Sequence, residues 1–206
     1  MEKMHKNTLN LIIRYKFSEL RRKYYGINDV TIICNNCLGG ILYKTFNLKF
    51  SSPLINLFIE TKDYMKLLKK LDYYLACDLN FIETDLEFPV AELDDIKIYF
   101  MHYKTIEEAK FKWNTRLSRV NLENICFIYV QREDCTYEDL KCFDNLPFHK
   151  KIALTFKDYP EFKSTFKISG FGNDRNIDVI KWSGYLRGKK YIDQFNWGKW
   201  LSLNKE

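Results

Sequence analysis

The stretch Val30–Phe58, VTIICNNCLGGILYKTFNLKFSSPLINLF, decides the fold. An apolar β-branched run, Val30–Asn35, stops abruptly at two asparagines, a cysteine and two glycines. An apolar segment, Gly40–Phe46, and a second strand-like run, Pro53–Ile59, follow. Strand, short helix and strand in succession read as the opening of an α/β sheet. In such sheets ligands bind where strands end, because the chain turns there and leaves polar groups facing a crevice. Asn35, Asn36, Gly39 and Gly40 are therefore the first candidate ligand-binding residues. The glycines would let backbone N–H groups approach a phosphate.

The pattern continues outward. Residues 8–24 carry apolar side chains at helical spacing and end at Gly26. Lys62–Cys77 is the clearest amphipathic helix. Phe81–Thr84 and Asp95–His102 read as strands, and Thr105–Val120 as a helix capped by Thr105 with Glu108. Asn124–Gln131 is a strand, Thr136–Phe143 a helix with a Thr N-cap, and Lys151–Phe156 a strand. Ser164–Ser169 is a further short strand and Tyr191–Leu201 a helix. The expectation is a three-layer, Rossmann-like α/β fold with a mostly parallel sheet. It would be a single domain over residues 1–206, with residues 170–206 as a cap or membrane-surface appendage.

Composition narrows the function classes. With 33 basic and 27 acidic residues, the net charge of +6 is too mild for a nucleic-acid partner and suits an anionic small ligand or membrane surface. No run of 18 apolar residues occurs and the start lacks a signal-peptide cleavage site, so a cytoplasmic protein is expected. Residues 3–23 hold seven Lys/Arg against Glu19, and the tail mixes Trp182, Tyr185, Tyr191, Phe195, Trp197 and Trp200 with cations. Both ends suit the inner face of an anionic membrane, or simple packing on the domain. The six cysteines read as reduced thiols. Cys34-x-x-Cys37 lacks a second pair at zinc spacing, so Cys34 reads as a buried strand residue and Cys37 as a turn residue.

If the strands are parallel, polar clusters gather at their ends: Asn35-Asn36, His102-Tyr103-Lys104, Arg132-Glu133-Asp134 and Lys157-Asp158-Tyr159. Strands end in polar turns in any α/β protein, which is the plainer explanation. On the functional reading, His102 and Asp134 are the catalytic candidates, as bases for a hydroxyl. A structural histidine and a turn-forming aspartate are the alternatives. Arg132 and Lys157 offer charge to an anionic ligand, with Tyr103 and Tyr159 beside them. Arg116 and Arg119 share a helix face that would grip a phosphate or stay solvated. Cys37 with His102 would make a nucleophile–base pair, which spacing alone does not support. Phosphate-loop, nucleophile-elbow and dinucleotide fingerprints are absent, as is a strand-end D-x-D, so no metal and no cofactor is expected.

Several segments together resemble domain-of-unknown-function family 1919. They are Asn35–Gly40, Ser52-Pro53 with Asn56–Ile59, Asp95-Ile96 with Tyr99–Tyr103, and Trp113 with Arg116 and Arg119. Arg132, Asp134, Cys135, Phe143, Leu146-Pro147, Lys151, Thr155 and Tyr159 extend the likeness over residues 8–160. Cys34 stands where serine is common in the family. The resemblance implies a bacterial exopolysaccharide or capsule setting without an established reaction. The expected function is a metal-independent glycosyltransferase using a nucleotide-sugar donor and a lipid-linked or glycan acceptor. The alternatives are acyl or phosphoryl transfer to the polysaccharide, or a non-catalytic binding protein of the same machinery.

Overall fold

The computed structural model describes residues 15–170, 178, 181 and 190–203. Residues 8–14 of the expected first helix, the Phe171-Gly172 loop, and Trp182 and Tyr185 of the aromatic tail lie outside them. Helix α1 covers residues 15–25 and leads into β1 (Thr31–Cys34) and α2 (Leu38–Thr45). α3 (Thr61–Lys69), α4 (Leu71–Ala76), β2 (Asn80–Ile82), β3 (Val90–Leu93), β4 (Ile96–Tyr99) and α5 (Ile106–Leu117) follow. The remainder is β5 (Ile125–Val130), α6 (Tyr137–Asp144), β6 (Lys151–Thr155), β7 (Thr165–Lys167), a 3-10 turn at Tyr191–Gln194 and α7 (Trp197–Ser202).

A four-stranded, all-parallel sheet runs in the order β1-β5-β6-β7. Its strands are near-continuous apolar runs because both faces are covered. Ile33, Phe127, Tyr129 and Ala153 feed a core shared with α3, α4, α6 and the small sheet. Ile32, Cys34, Cys126, Ile128 and Leu154 feed the opposite core, with Leu38, Leu42 and Tyr43 of α2 and Trp197 and Leu201 of α7. The fold is thus mixed α/β with helices on both sides of a parallel sheet. A second, antiparallel sheet in the order β2-β3-β4 lies in the long crossover between β1 and β5.

That second sheet corrects two expectations. The run 95–102 is not a parallel strand, because β4 folds back on β3 through a tight turn at Asp94-Asp95, with Asp94 at φ 56°. Tyr73 and Tyr74 donate hydroxyl hydrogen bonds to Asp94 (2.7 Å) and Asp95 (2.6 Å), which fixes that turn. The run 53–59 is a turn rather than a strand. Pro53 has no N–H to give a ladder, and Asn56 sits at φ 59°, outside strand geometry. Only Phe58 pairs there, exchanging both backbone hydrogen bonds with Tyr99 (3.0 and 2.9 Å).

The expected helix 62–77 is two helices broken at Lys70 (φ −135°). The break swings Tyr74 to Asp95 while Leu71 stays buried, so tertiary contacts override local propensity here. Both predicted N-caps are present: Thr105 accepts from Glu108 N (3.1 Å), and Thr136 forms a capping box with Asp139. The described tail packs inward, with Ile192, Trp197 and Leu201 buried and the Phe195, Trp197 and Trp200 rings stacked edge-to-face.

Candidate functional site

β1 passes to α2 through only three residues, and each has a distinct task. Asn35 is fully buried and continues the β1–β5 pairing with its side chain after the backbone departs. Its Oδ1 accepts from Val130 N (2.9 Å) and its Nδ2 donates to Val130 O (3.0 Å). Its own carbonyl accepts from Ile59 N (3.1 Å), tying in the loop before α3. Asn36 Oδ1 accepts from Leu38 N (3.0 Å), satisfying one of the orphan donors that open α2. Cys37 occupies the N-cap position of α2.

Gly39 and Gly40 lie inside α2 rather than in a loop, because the helix begins at Leu38. A Cβ on Gly39 would stand 3.1 Å from Cys34 Cβ, and one on Gly40 would stand 2.7 Å from Asn56 Oδ1. Their small size lets α2 lie close against β1 and against the 53–56 turn.

The half-buried Cys37 Sγ lies 3.1 Å from His102 Nε2. His102 is exposed and arrives just beyond β4, although β4 belongs to the other sheet. Tyr103 anchors this corner from inside: its hydroxyl donates to Ile55 O (2.8 Å). Burial pushes the Cys37 thiol above its usual range, and the Asp178 carboxylate adds to the push. The resting thiol is therefore protonated, hydrogen-bonded to an imidazole, and positioned at the C-terminal edge of the parallel sheet.

The other predicted site residues divide between this edge and the scaffold. Arg132, just beyond β5, places its guanidinium 4.6 Å from the centre of the Phe58 ring, next to the Phe58–Tyr99 bridge. Lys157 is exposed beyond β6, and Thr155 Oγ1 donates to its carbonyl (2.7 Å). Tyr159 Oη accepts from Gln131 Nε2 (3.4 Å). Asp134 accepts from Thr61 N (3.0 Å) with Oδ2, so it caps the start of α3. Arg116 is buried, donating to Ile55 O (3.2 Å) and to Tyr103 Oη, with Phe50 and Tyr103 rings on its guanidinium. Arg119 donates to Phe50 O (3.4 Å). Both arginines thus hold the chain's own 50–55 segment.

The structure brings together Cys37 and His102, the pair that sequence spacing alone does not support, and adds Asn56 beside Gly40. For Asn56 the sequence signal is its place in the Asn56–Ile59 segment that carries the family resemblance. Among the described residues, no three His, Cys, Asp or Glu side chains gather as a metal site would need. A wide cleft of about 1250 Å³ opens elsewhere, where β5 and β6 begin, between Leu71, Phe127, Phe148, Lys150 and Trp200. None of the predicted site residues lines it. Its Lys150 is already spent on the carbonyls of Leu201 and Leu203 (both 2.7 Å). In parallel sheets the reacting groups collect at the other end, where Cys37 and His102 meet.

These features define a mixed α/β protein with a thiol–imidazole pair at the carboxyl edge of its parallel sheet. The chain belongs to the family described as domain of unknown function DUF1919, whose model matches residues 8–202 and so runs well into the aromatic tail. It is similar to an uncharacterized protein of Haemophilus influenzae, 35% identical over 198 residues and 96% of both chains. Among the described residues no helix is long and apolar enough to cross a membrane.

Proposed function

We propose that this protein is a transferase of bacterial surface-polysaccharide assembly that carries an acyl group through Cys37. The observation that supports this reading is the 3.1 Å contact of Cys37 Sγ with His102 Nε2. Hydrogen-bond reach between nucleophile and base is the geometry that nucleophilic catalysis requires. The polysaccharide setting comes from the family resemblance, and the acceptor in this reading is a glycan or a lipid-linked sugar at the cytoplasmic membrane face.

The steps balance without a cofactor. Cys37 Sγ attacks the carbonyl of a thioester donor of coenzyme A type while His102 takes the thiol proton. The carrier thiolate leaves and recovers that proton, leaving Cys37 as an acyl thioester. A sugar hydroxyl then attacks the thioester carbonyl and gives its proton to His102. The product is a sugar ester, and the proton returns to the Cys37 sulfur. The Asn56 amide, packed against Gly40 one turn along α2, is an uncharged polar group on the same part of α2.

Intact-mass measurement after incubation with short acyl-coenzyme A thioesters tests this reading. The expected result is a single acyl adduct that vanishes in Cys37→Ala and forms slowly in His102→Ala. No adduct with any thioester, or one that survives Cys37→Ala, would overturn it.

A second reading keeps His102 as base but transfers a sugar from a nucleotide-sugar donor, on a Rossmann-like framework. It is favoured by the cations Arg132 and Lys157, which follow adjacent strands of the sheet. In a thermal-shift screen, stabilisation by a nucleoside diphosphate sugar and none by coenzyme A would select it.

A further inference from the structure

We propose that α1 is an interfacial helix that seats the protein on an anionic lipid surface. An amphipathic helix on a globular protein normally turns its apolar stripe toward the core. α1 does the reverse. Phe17, Leu20 and Tyr24, spaced three and four apart, share one face of the helix and are 62%, 62% and 84% exposed. The side toward the body carries Ser18, Arg22 and Tyr25, which are half-buried.

The outward orientation is built in. Gly26 at φ 64° ends the helix, with Gly26 N donating to Lys23 O and Ile27 N to Arg22 O (both 3.1 Å). This is the Schellman arrangement, which fixes the angle at which the helix leaves the domain. Ile27 immediately enters the core, 1% exposed. The Tyr25 ring lies so close to Gly198 of α7 that a Cβ there would stand 2.2 Å from it, and it meets Phe46 edge-to-face at 6.4 Å. Rotating α1 to bury its stripe would undo all of these contacts.

Charge identifies the occupant. On the helix surface Lys16 and Lys23, seven residues apart, flank the stripe on one side, and Arg21 flanks it on the other; all three are exposed. Glu19, the acidic residue of α1, lies on the far side and pairs with Lys23 (3.0 Å). An apolar strip of Phe, Leu and Tyr edged by Lys and Arg fits the headgroup boundary of an anionic bilayer, with the long cationic stems reaching outward. A second copy docked on the same stripe would set these cations against their own counterparts, which disfavours self-association. The proposal deepens the functional reading by naming the surface at which a lipid-linked acceptor would be met.

Flotation of the full chain with phosphatidylcholine vesicles, with and without phosphatidylglycerol, tests it. The parent is expected to float with the anionic vesicles only, and its partitioning to fall about fivefold for each cation removed in K16Q, R21Q and K23Q. The variant F17S/L20S/Y24S is expected to stay in solution with an unchanged melting temperature, because these side chains bury little in the fold. No flotation of the parent, equal flotation with both vesicle types, or flotation of the triple variant would overturn the proposal. So would a triple variant that altered oligomeric state in gel filtration and left flotation intact. Acylation of Cys37 from a soluble thioester, measured on the same variants, stays at the parent level, so this proposal and the acyl-transfer reading fail separately.

Discussion

Cys37 Sγ and His102 Nε2 meet at 3.1 Å across 65 residues of sequence. Two local decisions bring them together. Asn35 and Asn36 let the chain pass from β1 to α2 without a loop, which delivers Cys37 at the helix start. The Phe58–Tyr99 bridge draws the end of β4 toward that start, and Tyr103 clamps it to Ile55. The pair therefore depends on the junction between the parallel and antiparallel sheets.

This arrangement predicts how Cys37 reacts with pH. Its thiol is raised by burial, so the reactive thiolate is scarce at neutral pH and gains about tenfold per pH unit until the folded pKa is passed. Alkylation of Cys37 by iodoacetamide should keep accelerating beyond the ordinary thiol range of about 8.5. A plateau at or below that pH would show a normal or depressed thiol. If the proposed acyl transfer operates, loss of the base in His102→Ala should slow acyl-adduct formation by about 10²- to 10⁴-fold, with donor affinity unchanged.

Asn35 stands in for a stretch of strand, and its removal should behave accordingly. Asn35→Ala leaves the buried N–H and C=O of Val130 without partners, at a cost of about 1–3 kcal/mol each. Asn36→Ala exposes one helix-opening N–H that water can reach in part, at about 1 kcal/mol. Urea unfolding of the two variants should rank them in that order. Equal losses would mean that Asn35 does not hold β1 to β5.

Much of the fold was legible because its signals are local. Continuous apolar runs marked β1, β5 and β6, and Thr105 and Thr136 marked their helices with caps that depend on a few neighbouring residues. What failed was pairing direction. Ile96–Tyr99 reads the same whether it joins a parallel or an antiparallel neighbour, and β3 before it was missed altogether. His102 follows a strand as expected, but that strand belongs to the other sheet, so spacing alone could not support its pairing with Cys37. Arg116 and Asp134 were misleading for a related reason. Their chemistry suits phosphate binding and catalysis, whereas their hydrogen bonds run to Ile55 O and Thr61 N, partners that sequence spacing does not reveal.

Gly40 offers a test with a change of sign. In the parent, Gly40→Ala drives a Cβ to 2.7 Å from Asn56 Oδ1, so something must shift, at a cost on the order of 1 kcal/mol. Once Asn56→Ala has removed that oxygen, the same substitution should stabilise, since alanine in a helix gains about 0.5–1 kcal/mol over glycine. A double-mutant cycle read by urea unfolding would report the coupling. Simple additivity would mean that the glycine is not kept small for Asn56.

The two fully buried thiols contribute to a loss of stability at alkaline pH, alongside Cys37 and Cys135, whose thiols burial also raises. Burial pushes Cys34 and Cys126 each up to about 12. In the unfolded chain both would ionise near the ordinary value of about 8.5. Between those two values the folded state binds more protons than the unfolded state, so stability is complete below about pH 8.5 and falls as pH rises. The limiting slope is about 1.4 kcal/mol per pH unit for each thiol. Cys126→Ala removes one titrating group, and although the lost sulfur lowers stability at neutral pH, the decline between pH 9 and 11 should become shallower by about 1.4 kcal/mol per pH unit, the share of one thiol. Midpoints of urea unfolding across that range measure it. An unchanged slope would assign the alkaline loss to other groups, with the buried tyrosines Tyr43 and Tyr64, also raised by burial, the next to examine.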